Sequence, residues 1–111
     1  VVIYKLLPRT EWELACAAGV FCGSAVDHAD GFIHFSTATQ VQETARRHFR
    51  GQSDLVALLV DDGELGEALV YEPSRDGALF PHLYATLDPK LVHQVVPLQL
   101  ADDGVPQLDG V

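Results

Sequence analysis

The sequence predicts a single α+β domain of about six strands and about two helices. Three observations carry that reading. The chain has 111 residues, one domain's length. Its apolar runs are short and bounded by proline or glycine, as strands are. Only two stretches combine a capping signal with helical spacing, and they do not alternate regularly with the strands as a wound parallel sheet requires.

The elements follow in order. Val1–Leu7 is an apolar run closed by Pro8, a buried strand. Thr10 and Glu13 have capping-box spacing, opening a helix that carries Trp12, Ala15 and Ala18 and stops at Gly19. Phe21 to Asp30 is small and polar and reads as a hairpin or loop. Gly31 to Ser36 is a strand whose parity puts Ile33 and Phe35 on one side and Phe32, His34 and Ser36 on the other. Ser36 or Thr37 caps the next helix, with Gln40 completing a box on Thr37. Its apolar stripe is Val41, Ala45, His48 and Phe49, and Gly51 closes it. Leu55–Val60 is the most apolar run and the expected central strand. Asp61 to Glu67 is an acidic turn or short helical segment, followed by strands at Ala68–Glu72 and His82–Leu87. Val92–Leu100 is the last strand, and Pro97 assigns it to an edge. The domain is expected to span 1–100, leaving 101–111 as a loosely held acidic tail.

Composition narrows the function. Apolar residues make up 48% of the chain, too many for a disordered protein. Seven Lys and Arg against sixteen Asp and Glu give a net charge of −9, a field that repels nucleic-acid backbones. Cys16 and Cys22 form neither a disulfide framework nor a redox pair, and buried inert thiols are expected. No apolar run approaches the roughly 20 residues of a membrane span, and Val1–Pro8 lacks the pattern of a signal peptide. A cytoplasmic location is expected.

Two motifs can carry chemistry. Gly31-Phe32-Ile33-His34-Phe35-Ser36-Thr37 runs toward a helix N-terminus, where free amides and the helix dipole suit an anion such as phosphate. A capping serine beside an ordinary strand histidine has the same spacing. The second is Tyr71-Glu72-Pro73-Ser74-Arg75-Asp76-Gly77-Ala78-Leu79-Phe80-Pro81-His82-Leu83-Tyr84. Parity gives Phe80, His82 and Tyr84 a common face, an aromatic wall with two polar tips suited to a stacked ring and a ribose or phosphate. Glu72 and Arg75 flank the turn and can pair, which would make the same residues a surface salt bridge over packed aromatics. Arg46, Arg47 and Arg50 form a basic cluster that reads as a solvated helix face. Five histidines raise the question of a metal, but none sits at helical ligand spacing; a set such as His34, His82 and Glu72 needs tertiary convergence, and no metal is expected. Hydrolase-elbow, phosphate-loop and dinucleotide fingerprints are absent.

These residues carry a resemblance. Asp30-Gly-Phe-Ile-His-Phe-Ser-Thr37, then Gln40, Thr44-Ala45 and Phe80-Pro-His-Leu-Tyr84, resemble the bacterial family termed domain of unknown function 952. More distantly, His34-Phe35-Ser36, Thr44-Ala45, Val60-Asp61, Tyr71 to Leu79 and Pro89-Lys90-Leu91 are similar to the catalytic half of RNA 2′-phosphotransferases, in the ADP-ribosyltransferase superfamily. Asp76 stands where that family has asparagine. The resemblance implies split sheets with NAD between them, and His34 and Ser36 holding the adenosine ribose and a diphosphate or ribose hydroxyl. It offers Glu72 and His82 as competitors for the catalytic position on a late strand.

Three functional expectations follow. The first is an NAD-using ADP-ribosyl transferase or glycohydrolase, with His34, Ser36, Thr37, Arg75, Phe80 and Tyr84 holding NAD and His82 or Glu72 orienting the ribose or acceptor. The acidity of the chain disfavours an RNA acceptor and leaves a small molecule or a protein. The second is a non-catalytic module binding a nucleotide or other small metabolite in the same cleft. The third is a metal-dependent hydrolase.

Overall fold

A computed structural model describes residues 1–108, with the backbone alone at Arg75. The first strand, β1 (Val2–Pro8), passes without a loop into α1 (Arg9–Ala18). Pro8 in extended geometry is the N-cap, so Thr10 lies inside the helix and the expected Thr10–Glu13 box does not form. Glu13 instead accepts from Arg9 at 2.7 Å. Gly19 ends the helix in the left-handed conformation, as expected.

Ala25–Asp30, read above as loop or hairpin, is a helix, α2. The Ser24 amide donates to Asp27 Oδ2 at 2.8 Å and so satisfies one free donor of its first turn. The following strand is also not continuous. Ile33–His34 (β2) pairs with one sheet and Ser36–Thr37 (β3) with another. Phe35, between them, donates its amide to Pro81 O at 3.0 Å. The next helix, α3 (Val41–His48), begins later than expected: neither Ser36 nor Thr37 caps it. The Gln40 side chain does accept from the Thr37 amide at 3.0 Å, closing the turn before it. Val41 and Ala45 are buried, whereas His48 is exposed.

The remaining strands are β4 (Leu55–Asp61), β5 (Leu69–Pro73), β6 (Leu79–Leu83), β7 (Val92–Pro97), β8 (Gln99–Leu100) and β9 (Pro106–Gln107). Short 3-10 turns at Asp62–Glu64 and Gly66–Ala68 fill the acidic segment. The chain is thus α+β, with three α-helices and nine strands among the described residues rather than two and six. The larger sheet has the order β3-β1-β4-β7, with β7 at an edge, and the smaller has β2-β6-β5; β8 and β9 make a hairpin.

Both faces of the larger sheet are covered, which explains the unbroken apolar run of β4. Val56, Leu58 and Val60 join Ile3, Leu7, Phe21, Ile33, Phe35, Leu83 and Leu87 on one side. Leu55, Ala57 and Leu59 join Tyr4, Leu6, Val41, Ala45 and Val96 on the other, beneath α3. Leu58 is wholly buried. Leu58→Ala is therefore expected to cost about 2–5 kcal/mol, read as a lower urea midpoint at unchanged slope.

Two expectations about the surface are corrected. Cys16 and Cys22 are exposed, because buried Ala15 and Phe21 take the inward positions beside them. The segment after Leu100 folds back through Leu108 instead of hanging loose. Val105 and Pro106 are buried, and the Gln42 side chain donates to Pro106 O at 2.8 Å and accepts from the Leu108 amide at 3.3 Å. Residues 109–111 of the expected tail lie outside the described part of the chain. No helix among the described residues is long and apolar enough to cross a membrane.

Candidate functional site

The two sheets part at Phe35, and a cleft of about 590 Å³ opens there. β1 pairs with β3 only at Ile3 and Tyr4, so beyond Tyr4 it diverges from the β2–β3 chain. Lys5, Leu6 and Pro8 line one side of the opening. Phe80 and His82 of β6 line another, with His34 and Ser36 where the walls meet and Thr44 and Phe49 from the α3 side.

His34 is held by carboxylates at both ring nitrogens. Asp27 Oδ1 lies 2.6 Å from Nδ1 and Asp30 Oδ2 lies 2.8 Å from Nε2. An ionised carboxylate only accepts, so each ring nitrogen serves as a donor in this arrangement. Asp27 is 2% exposed and also receives both its contacts from Lys5 Nζ, at 3.0 and 2.8 Å, and the backbone amides of Ser24 and His34. Burial pushes the Asp27 carboxyl up, but hydrogen bonding from His34, the charge and hydrogen bonds of Lys5 and the Ser24 amide outweigh it. The group is held well below the usual carboxylate range. Burial pushes the Lys5 ammonium down, against the pull of Asp27.

His82 faces His34 edge-on, with ring centroids 5.7 Å apart. Its Nδ1 lies 2.7 Å from Glu72 Oε1, which also accepts from the Tyr84 hydroxyl at 2.7 Å. Hydrogen bonds from Tyr84 and then His82 hold the Glu72 carboxyl below its ordinary range, and Glu72 in turn raises the Tyr84 phenol. Phe32 stacks on His82 at 3.9 Å and leaves it only 5% exposed. Phe32 is otherwise turned to a second, smaller cavity beside Cys22 and Thr86.

The cleft brings together His34, Ser36, Phe80 and His82 from both sequence motifs. Glu72 and Tyr84 stand behind His82 and are not among its lining. Tyr84 lies just past the end of β6, and Thr37 is engaged with Gln40 and Thr39 away from the cleft. Residues 41–43, which open α3, are not among the lining, which takes Thr44 and His48 from that helix. Ser36 Oγ bonds Thr44 Oγ1 at 3.0 Å. The expected Glu72–Arg75 pair falls on an Arg75 side chain outside the described residues. Asp76 adopts the left-handed conformation, φ 58°, which short polar side chains tolerate; this accounts for aspartate or asparagine at the turn.

Sequence reasoning missed Lys5, Asp27 and Asp30. The available signal was Lys5 itself, a single cation inside an apolar strand that must find a buried counter-charge.

A family model described as a protein of unknown function, DUF952, matches residues 6–95. The crystal structure of protein CC0527 from Caulobacter crescentus is 55% identical, covers 96% of this chain and 94% of its own, and superposes with a TM-score of 0.95. The solution structure of CC0527 is 56% identical, with coverage of 96% and 91% and a TM-score of 0.87. No match was found among curated proteins.

Proposed function

The chain belongs to the DUF952 family, and on that premise we propose that its cleft binds NAD and supports ADP-ribosyl transfer or NAD cleavage. The observation that carries this reading is the meeting of His34, Ser36, Phe80 and His82 in one cleft at the parting of two small sheets. That placement agrees with the distant resemblance to ADP-ribosyltransferases. Breaking the ribose–nicotinamide bond passes through an oxocarbenium-like state, so positioning and electrostatics supply most of the catalysis. His34, its ring fixed by buried Asp27, presents Nε2 for a ribose hydroxyl. Ser36 supplies a hydroxyl at the apex, and Phe80 an apolar surface. His82, steadied by Glu72, orients the ribose or the acceptor. The acceptor is a small molecule or a protein.

Incubation of the purified protein with NAD is expected to release nicotinamide, followed by chromatography, and NAD is expected to perturb the amide resonances of residues 33–36 and 80–82. A second reading, nucleotide binding without turnover, draws on the cover that Phe32 places over His82. Perturbed resonances with no nicotinamide released would select it. Neither effect would remove both readings.

A further inference from the structure

Resting on the NAD reading of the cleft, we propose that Asp30 sets its specificity: with His34 it accepts a free ribose hydroxyl and turns away a phosphorylated one. The ligand class is thereby NAD and ADP-ribose, not their 2′-phosphorylated counterparts.

The argument starts from what each group can exchange. Asp27 occupies His34 Nδ1 at 2.6 Å, leaving Nε2 as the ring's remaining donor. Asp30 Oδ2 sits 2.8 Å from that nitrogen. The cleft therefore presents one donor and one acceptor side by side. A hydroxyl matches both, accepting from Nε2 and donating to the carboxylate. Asp30 has a side chain 49% exposed at the end of α2, so it can shift to admit such a group without disturbing the core. A carboxylate reading a ribose 2′-hydroxyl is also the device by which the dinucleotide-binding folds separate the two coenzymes.

A phosphate fails on both counts. It offers the carboxylate no proton at neutral pH, and it sets like charges in contact where water is partly excluded. Among the described residues the nearby cations are already paired: the His34 ring, donating from both nitrogens, lies between Asp27 and Asp30, and Lys5 directs its ammonium at both oxygens of Asp27. Glu11, at the rim of the cleft, adds a further negative charge and accepts from Ser24 Oγ at 2.8 Å.

The test is calorimetric titration of the wild type and Asp30→Asn with NAD and with NADP. The wild type is expected to favour NAD by about a hundredfold. Asp30→Asn, which removes the charge and keeps the shape, is expected to bring the two within about tenfold, mainly by improving NADP. Thermal melts accompany the titrations, because Asp30 closes a short helix. Equal wild-type affinity for the two coenzymes overturns the proposal and leaves the NAD reading intact. So does a preference that survives the substitution, or parallel loss of both ligands with a collapsed melting temperature. Failure of the wild type to bind either coenzyme overturns the NAD reading and the proposal together.

Discussion

Asp27→Ala is expected to lower the stability of the protein by about 3–5 kcal/mol, the range for breaking a buried ion pair from one side. The substitution strands the Lys5 ammonium, 4% exposed, without its counter-charge. It also releases the amides of Ser24 and His34 and leaves His34 Nδ1 without Asp27. Replacing both partners, Lys5→Met with Asp27→Leu, is expected to recover part of the loss, because an apolar pair leaves no buried charge behind. Urea denaturation of the two variants separates these outcomes. The same carboxylate predicts the acid limb of the stability curve. Its folded-state pKa lies below the unfolded value of about 3.9, so its contribution is fully present above that value. The contribution is lost as pH falls through the depressed folded value. Asp27→Ala should flatten that limb, and an unchanged acid transition would show that other carboxylates control it.

His82→Ala is expected to reduce nicotinamide release by about a hundredfold or more, the scale of a group acting on proton position or orientation in the transition state. Affinity for NAD is expected to change much less. His82 is 5% exposed, with Phe32 stacked on its ring, so it offers a bound ligand little surface in the ground state. Glu72→Gln is the companion variant, keeping the shape but removing the charge beside Nδ1. It should move the pH profile of turnover with a smaller loss. Equal losses in binding and turnover for His82→Ala would mean that His82 contributes uniform binding and no transition-state effect.

The sequence made strands β1 and β4 legible because a chain buried on both faces has no polar alternation to confuse the reading. The end of α1 at Gly19 and the edge position of β7 were legible for equally local reasons. What escaped was decided across the fold. α2 has six residues, too few to show a period, and its aspartate at position 27 is ordinary in a polar stretch until Lys5 and His34 converge on it. Strand parity correctly set Ile33 and Phe35 inside, at 2% exposure each. It could not show that β2 and β3 belong to different sheets, because that depends on Phe35 bonding Pro81. The pairing of Glu72 with His82 and Tyr84 is likewise a cross-strand relation, set by the register of β5 on β6.

The crossing at Phe35 also bears on how this chain can vary in length. A strand that served one sheet could absorb an added residue by sliding along its neighbour. This stretch is gripped at both ends, by His82 and Leu83 opposite β2 and by Ile3 and Tyr4 opposite β3. One residue more or fewer between Ile33 and Thr37 turns half the stretch inside out, carrying an imidazole toward the aliphatic interior or Phe35 toward water. The turns at 62–68 and 74–78 are held at their ends, by Asp62 to Val1 and Ala68 to Tyr84 in the first and by Ser74 to Ala78 in the second, with no strand pairing between. Lineages of this fold can therefore drift in their acidic turns while the five residues between the sheets keep their number.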